Sequence, residues 1–121
     1  MALGIKRDKL DILVSEYIRK KSGGYCERCG KYYGWKRLHT CHFHGRSRRS
    51  VRYDEDNLVA LDFGCHQFLD SQPLEKVEFF KVRLGEDRFD MLNSRMRQTH
   101  PKPDKELLTL YYQQRLAGIG M

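Results

Sequence analysis

The sequence predicts an α+β fold, in which a small strand–strand–helix core is wrapped by α-helices from both ends of the chain. Two short segments of strand-forming residues, 38–43 and 57–61, lie near the middle of the sequence. Apolar residues at helical spacing precede and follow these segments. Cysteines at positions 26, 29 and 65 flank the two segments and can tie them together through a metal ion.

The composition is that of one small domain spanning residues 1–121. Hydrophobic residues make up 40% of the chain and charged residues 32%, and the mean hydropathy of -0.72 argues against a membrane protein. No run of about 18 apolar residues predicts a spanning helix. Residues 1–10 carry three basic side chains instead of the apolar stretch of a secretory signal. We therefore expect a cytoplasmic protein whose cysteines are metal ligands and not disulfides.

The first predicted element is an amphipathic helix over residues 7–21. Its apolar side chains, between positions 10 and 18, are spaced as on one face of a helix, and Ser22-Gly23-Gly24 ends it. Residues 25–35 then contain the first pair of cysteines and a connection broken by glycine.

The second part of the predicted core is a hairpin followed by a short helix. Strands at 38–43 and 57–61 are joined by a basic loop at 45–54, and the helix begins near Gly64. This helix carries His66 and Asp70. The core therefore covers about residues 25–72, with helical extensions over 6–21 and 73–117.

Three further helices are predicted from clear start and stop signals. Pro73 suits the first turn of a helix over 74–84, which Gly85 ends, and a second helix follows over 86–98. The last helix, 104–117, comes after two prolines. Helical spacing places seven apolar residues of these helices in the core: Phe79, Phe80, Val82, Leu107, Leu108, Leu110 and Tyr111.

The charge balance favours a polyanionic partner. Lys and Arg number 23 against 16 Asp and Glu, which gives a net charge of +7. Four arginines fall within the loop between the strands: Arg46, Arg48, Arg49 and Arg52. Arginines beside a metal site often bind phosphates, and a solvated surface loop is the alternative interpretation.

The residues Cys26-x-x-Cys29-Gly form a turn whose two sulfurs can bind one zinc ion. The second half of such a site normally repeats Cys-x-x-Cys, and here Asp62 takes the first place before Cys65. A structural zinc ion would compensate for the small apolar core, because its binding contributes folding free energy directly.

Three polar residues near this site suit phosphodiester hydrolysis. His42 lies on the first strand, Asn57 at the start of the second and His66 on the helix. A neutral imidazole can take a proton from water at physiological pH. His66 and Asp70, four residues apart on a helix, project to the same side and can bind a cation, while the arginines bind neighbouring phosphates.

The segment 38–69 resembles the HNH endonucleases, whose core is the ββα-metal motif. His42, Asn57 and His66 match the three motif residues in order, at intervals of 15 and 9 residues. The resemblance implies that His42 is the general base, that Asn57 steadies the loop and that His66 binds the catalytic ion. Asp70 stands where colicin-type nucleases have a further metal-binding histidine. The Asn57-Leu tract and the Cys65-His66 pair are similar to the zinc-containing phage and prophage branch.

The resemblance implies a DNA endonuclease that nicks DNA in the cytoplasm of a bacterial host, as a monomer or homodimer. Its cofactors would be a structural Zn²⁺ and a catalytic Mg²⁺ or Mn²⁺, and its partners DNA and phage recombination or packaging proteins. Two alternatives are a non-catalytic zinc-ribbon module that binds nucleic acid and an accessory protein of phage recombination or packaging.

The sequence departs from the family at two positions. Cys41 stands where an acidic or histidine metal ligand is usual, and Asp62 stands where a cysteine is usual. Either Cys41 or Asp62 can complete the zinc site. His39 and His44 lie outside the motif. We expect them on the surface or in contact with DNA, with support of a metal ion as the alternative.

Overall fold

The computed structural model describes residues 6–120, which form five α-helices and one two-stranded antiparallel sheet. The elements, in chain order, are α1 (Lys9–Lys21), β1 (His39–His42), β2 (Leu58–Leu61), α2 (Phe63–Ser71), α3 (Pro73–Leu84), α4 (Glu86–Met96) and α5 (Lys105–Ile119). The predicted α+β class is confirmed. Short 3₁₀ turns at Trp35–Arg37, Arg49–Val51 and Glu55–Asn57 flank the strands.

The hairpin forms the centre of the core. His39 pairs with Leu61 and His42 pairs with Leu58 in the antiparallel register. Every residue of β2 is buried, whereas β1 buries Cys41 and leaves its neighbours partly exposed. A strand buried on both faces reads as a continuous apolar run, as Leu58–Leu61 does. The other three side chains of β1 are partly exposed and lie on both faces of the strand.

The cysteine turn docks on the free edge of β2 through Glu27. The Glu27 backbone N–H donates to the Ala60 carbonyl at 2.9 Å, and the Ala60 N–H donates to Glu27 Oε2 at 2.8 Å. One bond joins two backbones and the other joins the Ala60 backbone to the Glu27 side chain, so together they hold the turn against the edge of β2. They bring Cys26 and Cys29 beside the start of α2.

Helix α1 begins with a capping box and packs on the hairpin. Asp8 and Asp11 each accept a hydrogen bond from the other's backbone N–H at 2.8 Å, which satisfies two orphan donors of the first turn. The buried face of α1 includes Val14, Tyr17 and Ile18. Tyr17 contacts Tyr112 of α5, with ring centroids 5.4 Å apart, so the last helix closes over the first.

The predicted core of the C-terminal helices was only partly right. Phe80 is fully buried, and Phe79 and Leu108 pack against the core. Four of the seven residues are exposed instead: Val82 (72%), Leu107 (64%), Leu110 (60%) and Tyr111 (43%).

Three of these four errors, at Leu107, Leu110 and Tyr111, come from which face of α5 is buried. Helix α5 packs through Leu108, Tyr112, Leu116 and Ile119, spaced by three or four residues, and this leaves Leu107 and Leu110 on other faces. Apolar residues occur nearly all round α5, so the sequence did not reveal which face is buried. Within residues 6–120, no helix combines the length and apolar character needed to cross a membrane.

Candidate functional site

Four side chains form a compact group at the start of α2. Cys26 and Cys29 come from the docked turn, and Asp62 and Cys65 come from the first turn of the helix; their ligand atoms all lie within 4.8 Å of one another. Gly30 closes the turn at φ 78°, a conformation that favours glycine. Three sulfurs and one carboxylate oxygen are donors that zinc binds tetrahedrally, so these residues fit a zinc ion.

Asp62 has a separate task for each oxygen. Oδ1 accepts a hydrogen bond from the Cys65 N–H at 2.8 Å and caps α2, while Oδ2 lies 3.0 Å from Cys29 Sγ. Burial alone would raise the pKa of Asp62, but hydrogen bonds from the Cys65 N–H and the Cys29 thiol outweigh it and lower the pKa. The carboxylate is therefore charged and has one oxygen available to a metal. Of the two candidates for the fourth position, Asp62 is the one that lies with the three cysteines.

Cys41 lies instead in a second group, with His66 and Asp70, whose ligand atoms also lie within 4.8 Å of one another. His66 Nε2 is 3.1 Å from Asp70 Oδ2, as their spacing on α2 predicts. Cys41 is fully buried, and burial raises the pKa of its thiol to about 12. Lys76 Nζ lies 2.8 Å from Asp70 Oδ1, so this carboxylate already has a cationic partner.

His39 contacts His66 on the other side of the imidazole ring. The two Nδ1 atoms are 3.1 Å apart, and the rings are perpendicular with centroids 5.3 Å apart. The sequence alone predicts His39 on the surface or in contact with DNA, with support of a metal ion as the alternative. The signal that could have found it is the period of two along β1, which puts His39 on the same face as Cys41 and towards α2.

A cavity of about 420 Å³ opens between α1 and the hairpin. Among the described residues, three histidines line it: His39, His42 and His66. Four arginines also line it: Arg7, Arg19, Arg46 and Arg52. Asp11 lies there too and offsets one of these charges. His42 and His66 thus share one concave and strongly positive site.

His42 is neutral in this cavity. Burial lowers the pKa of its imidazole to about 4, and the positive charge of Arg46 adds to the effect. The lower value keeps a lone pair on the ring throughout the physiological pH range, so the ring can accept a proton but is a weaker base than an exposed histidine.

Asn57 fastens the end of the strand that carries His42. Its Oδ1 accepts from the His44 N–H at 2.8 Å and its Nδ2 donates to the His44 carbonyl at 2.9 Å. The side chain is fully buried and closes the base of the basic loop. His44 itself pairs with Asn93 of α4, Nε2 to Oδ1 at 2.8 Å, and therefore belongs to the packing of the loop against α4.

The four arginines of the loop do not form one surface. Arg46 and Arg52 line the cavity, whereas Arg48 and Arg49 lie at a separate depression beside residues 96–103. Arg7 and Arg19 of the N-terminal region supply the other two cavity cations. They are not predictable from the sequence, because the helical pattern of α1 indicates its buried face and not what its polar face lies against.

Comparisons with protein-family models, with curated proteins and with solved structures found no match to this chain. The chemical properties of the site come from its own residues. They combine a neutral proton acceptor, imidazole and carboxylate groups able to bind a cation, and positively charged walls. This set of groups suits attack by water on a phosphodiester.

Proposed function

We propose that this protein is a metal-dependent DNA endonuclease of the HNH type, which hydrolyses phosphodiester bonds and nicks one strand at a time. The observation that supports it most strongly is that His42 and His66 line the same cavity. A base and a cation-binding group can act on one phosphodiester only if they share one site. The walls of this site carry the positive charge that a nucleic acid backbone needs.

In this proposal His42 takes the proton from the attacking water. The imidazole is neutral and can therefore accept this proton. The hydrogen bonds between Asn57 and His44 fix the end of the strand that carries it. A Mg²⁺ or Mn²⁺ ion at His66 would stabilise the negative charge on the phosphate and on the leaving 3′-oxygen. Arg46 binds a non-bridging oxygen, and Arg7 and Arg19 bind flanking phosphates.

The cysteine group has a structural task. Zinc held by Cys26, Cys29, Asp62 and Cys65 fixes the first turn of α2, and His66 follows in the same turn. The described core is small, so this link supplies folding free energy that apolar burial does not.

The biological setting is proposed from the resemblance to the phage and prophage branch of the family. The protein would act on DNA in the cytoplasm of a bacterial host, where phage recombination or packaging proteins are candidate partners. One active centre per chain cuts one strand. Cleavage of both strands would therefore require a homodimer or two encounters of a monomer.

A plasmid-nicking assay tests the proposal. We expect the zinc-loaded protein to convert supercoiled plasmid to the open circle when Mn²⁺ or Mg²⁺ is added. His42→Ala should abolish nicking while zinc content and DNA affinity stay near normal. His100→Ala is a matched control, because His100 is exposed and lies outside the cavity. Full activity of His42→Ala would rule out His42 as the base.

A non-catalytic zinc-ribbon module that binds nucleic acid is the second candidate. It is favoured by the buried thiol of Cys41, which stands where the family usually has an acidic or histidine metal ligand. Wild-type protein that binds DNA but never nicks it, with any divalent ion, would support this candidate against the nuclease.

A further inference from the structure

Both ring nitrogens of His66 have a partner. Nε2 faces Asp70 Oδ2 at 3.1 Å, and Nδ1 faces His39 Nδ1 at 3.1 Å. A neutral imidazole carries one N–H, so one nitrogen donates a hydrogen bond while the other offers a lone pair. The partner of each nitrogen determines which nitrogen carries the proton and which offers the lone pair.

The Asp70 carboxylate can only accept a hydrogen bond. The Nε2 of His66 therefore carries the proton, and the lone pair of Nδ1 is directed to His39. This is the arrangement of a carboxylate–histidine–metal triad, in which a carboxylate fixes the tautomer of a ligating histidine. Lys76 in turn holds Asp70 through a 2.8 Å ion pair.

The separation of the two Nδ1 atoms fits a shared ion. Two nitrogen ligands at about 2.1 Å from one metal, at angles between 90° and 109°, lie roughly 3.0–3.4 Å apart. The observed 3.1 Å falls in this range. His39 and His66 also both line the cavity with His42, whereas Cys41 and Asp70 do not.

We propose that a divalent ion binds between Nδ1 of His39 and Nδ1 of His66, with Asp70 orienting His66 from the other side instead of ligating the ion. The remaining coordination positions face the cavity and take water and a phosphate oxygen. Two imidazoles favour borderline transition-metal ions, such as Co²⁺, Ni²⁺ or Zn²⁺, over Mg²⁺. The role of this ion in cleavage rests on the proposed nuclease function; the binding site itself does not.

The test is a calorimetric titration of Co²⁺ into the full chain whose cysteine site is already loaded with zinc. The variants are His39→Phe, which keeps a ring without nitrogens, and Asp70→Asn, whose amide oxygen still accepts the Nε2 proton. We expect His39→Phe to weaken Co²⁺ binding by more than about 100-fold, beyond the cost of losing an outer partner. Asp70→Asn should weaken it by less than about 10-fold, and His100→Phe should leave it unchanged.

Three results would overturn the inference. The first is normal Co²⁺ affinity in His39→Phe combined with a large loss in Asp70→Asn, which would move the ion to the Nε2 side. The second is a thiolate-to-cobalt absorption band without release of zinc, which would make Cys41 a ligand. The third is a wild-type protein that binds no second ion.

If His39→Phe fails to fold, nitrogen-15 NMR spectra of the wild-type protein test the inference, because they show which ring nitrogen of His66 carries the proton. We expect the proton of His66 on Nε2 in the zinc-loaded protein, and a proton on Nδ1 would contradict the site. The nicking assay separates this inference from the nuclease proposal. Co²⁺ binding that depends on His39, in a protein that never nicks DNA, would uphold the ion site and reject the nuclease.

Discussion

Arg52 donates two hydrogen bonds to Asp11, from Nε to Oδ1 at 3.1 Å and from Nη2 to Oδ2 at 2.5 Å. The two side chains are only 12% and 4% exposed. The pair joins the basic loop to α1 at the wall of the cavity. Arg52 is therefore committed to a carboxylate, and its main effect on the site is to hold the two walls together.

Removing Arg52 should destabilise the fold. Arg52→Gln leaves the buried Asp11 carboxylate without its cation, and breaking such a pair costs about 3–5 kcal/mol. Urea unfolding measures the free energy directly. Arg48→Gln, the same change at an exposed position of the same loop, should stay within about 0.5 kcal/mol of wild type. Equal stability of the two variants would show that the buried pair contributes nothing.

The cavity arginines should account for the salt dependence of DNA binding. We expect Arg46→Gln and Arg7→Gln each to lower the slope of log affinity against log salt concentration by about 1, because each removes one phosphate contact of the proposed DNA complex. Binding is measured in a His42→Ala background, which leaves the DNA uncut. Arg97→Gln changes the same charge at an exposed site on the end of α4. An identical slope for the Arg46, Arg7 and Arg97 variants would show that the cavity does not bind the DNA backbone.

Zinc content should distinguish Cys41 from Asp62. We expect about one zinc ion per chain in the wild type and in Cys41→Ala, because the Cys41 sulfur lies outside the cysteine group. Asp62→Ala should lower zinc affinity and also weaken the start of α2, where loss of a cap costs about 1 kcal/mol. Elemental analysis after dialysis measures the metal. Zinc retained by Asp62→Ala but lost from Cys41→Ala would reverse the assignment.

Acid should weaken the fold partly through Asp8. Burial raises the pKa of this carboxyl, but hydrogen bonds from Tyr53, the Asp11 N–H and Lys105 together lower it below its ordinary value. A lowered pKa stabilises the folded state above the ordinary carboxyl pKa of about 4, and this contribution is lost as the pH falls further. The free energy of unfolding of Asp8→Asn should therefore fall less steeply than that of wild type below pH 4. The exposed Asp90→Asn should follow wild type.

The order of the elements was predictable because the signals for it are local. Asp8, Pro73, Gly85 and Asp104 mark helix ends by capping or by restricting the backbone. The cysteine spacing and the register of His42, Asn57 and His66 likewise indicate which residues belong to the candidate site.

What the sequence did not reveal depends on contacts between distant segments. Either Cys41 or Asp62 suits zinc by its chemistry, and the docking of Glu27 on Ala60 decides which one is near. The partnership of His39 with His66 needs the packing of α2 on β1. The positions of Arg7 and Arg19 in the cavity wall follow from the packing of α1, which no local pattern specifies.

Cys65 and His66 are consecutive in the first turns of α2, and a helix turns each residue by about 100° from the last. One peptide unit therefore separates the sulfur that would hold zinc from the imidazole that would serve the reaction. A molecule depleted of zinc would keep every atom of the proposed site, but the His66 imidazole would no longer be held in the orientation that the reaction needs. In any purified batch, the fraction of competent molecules should follow the metal-to-protein ratio and not the protein concentration.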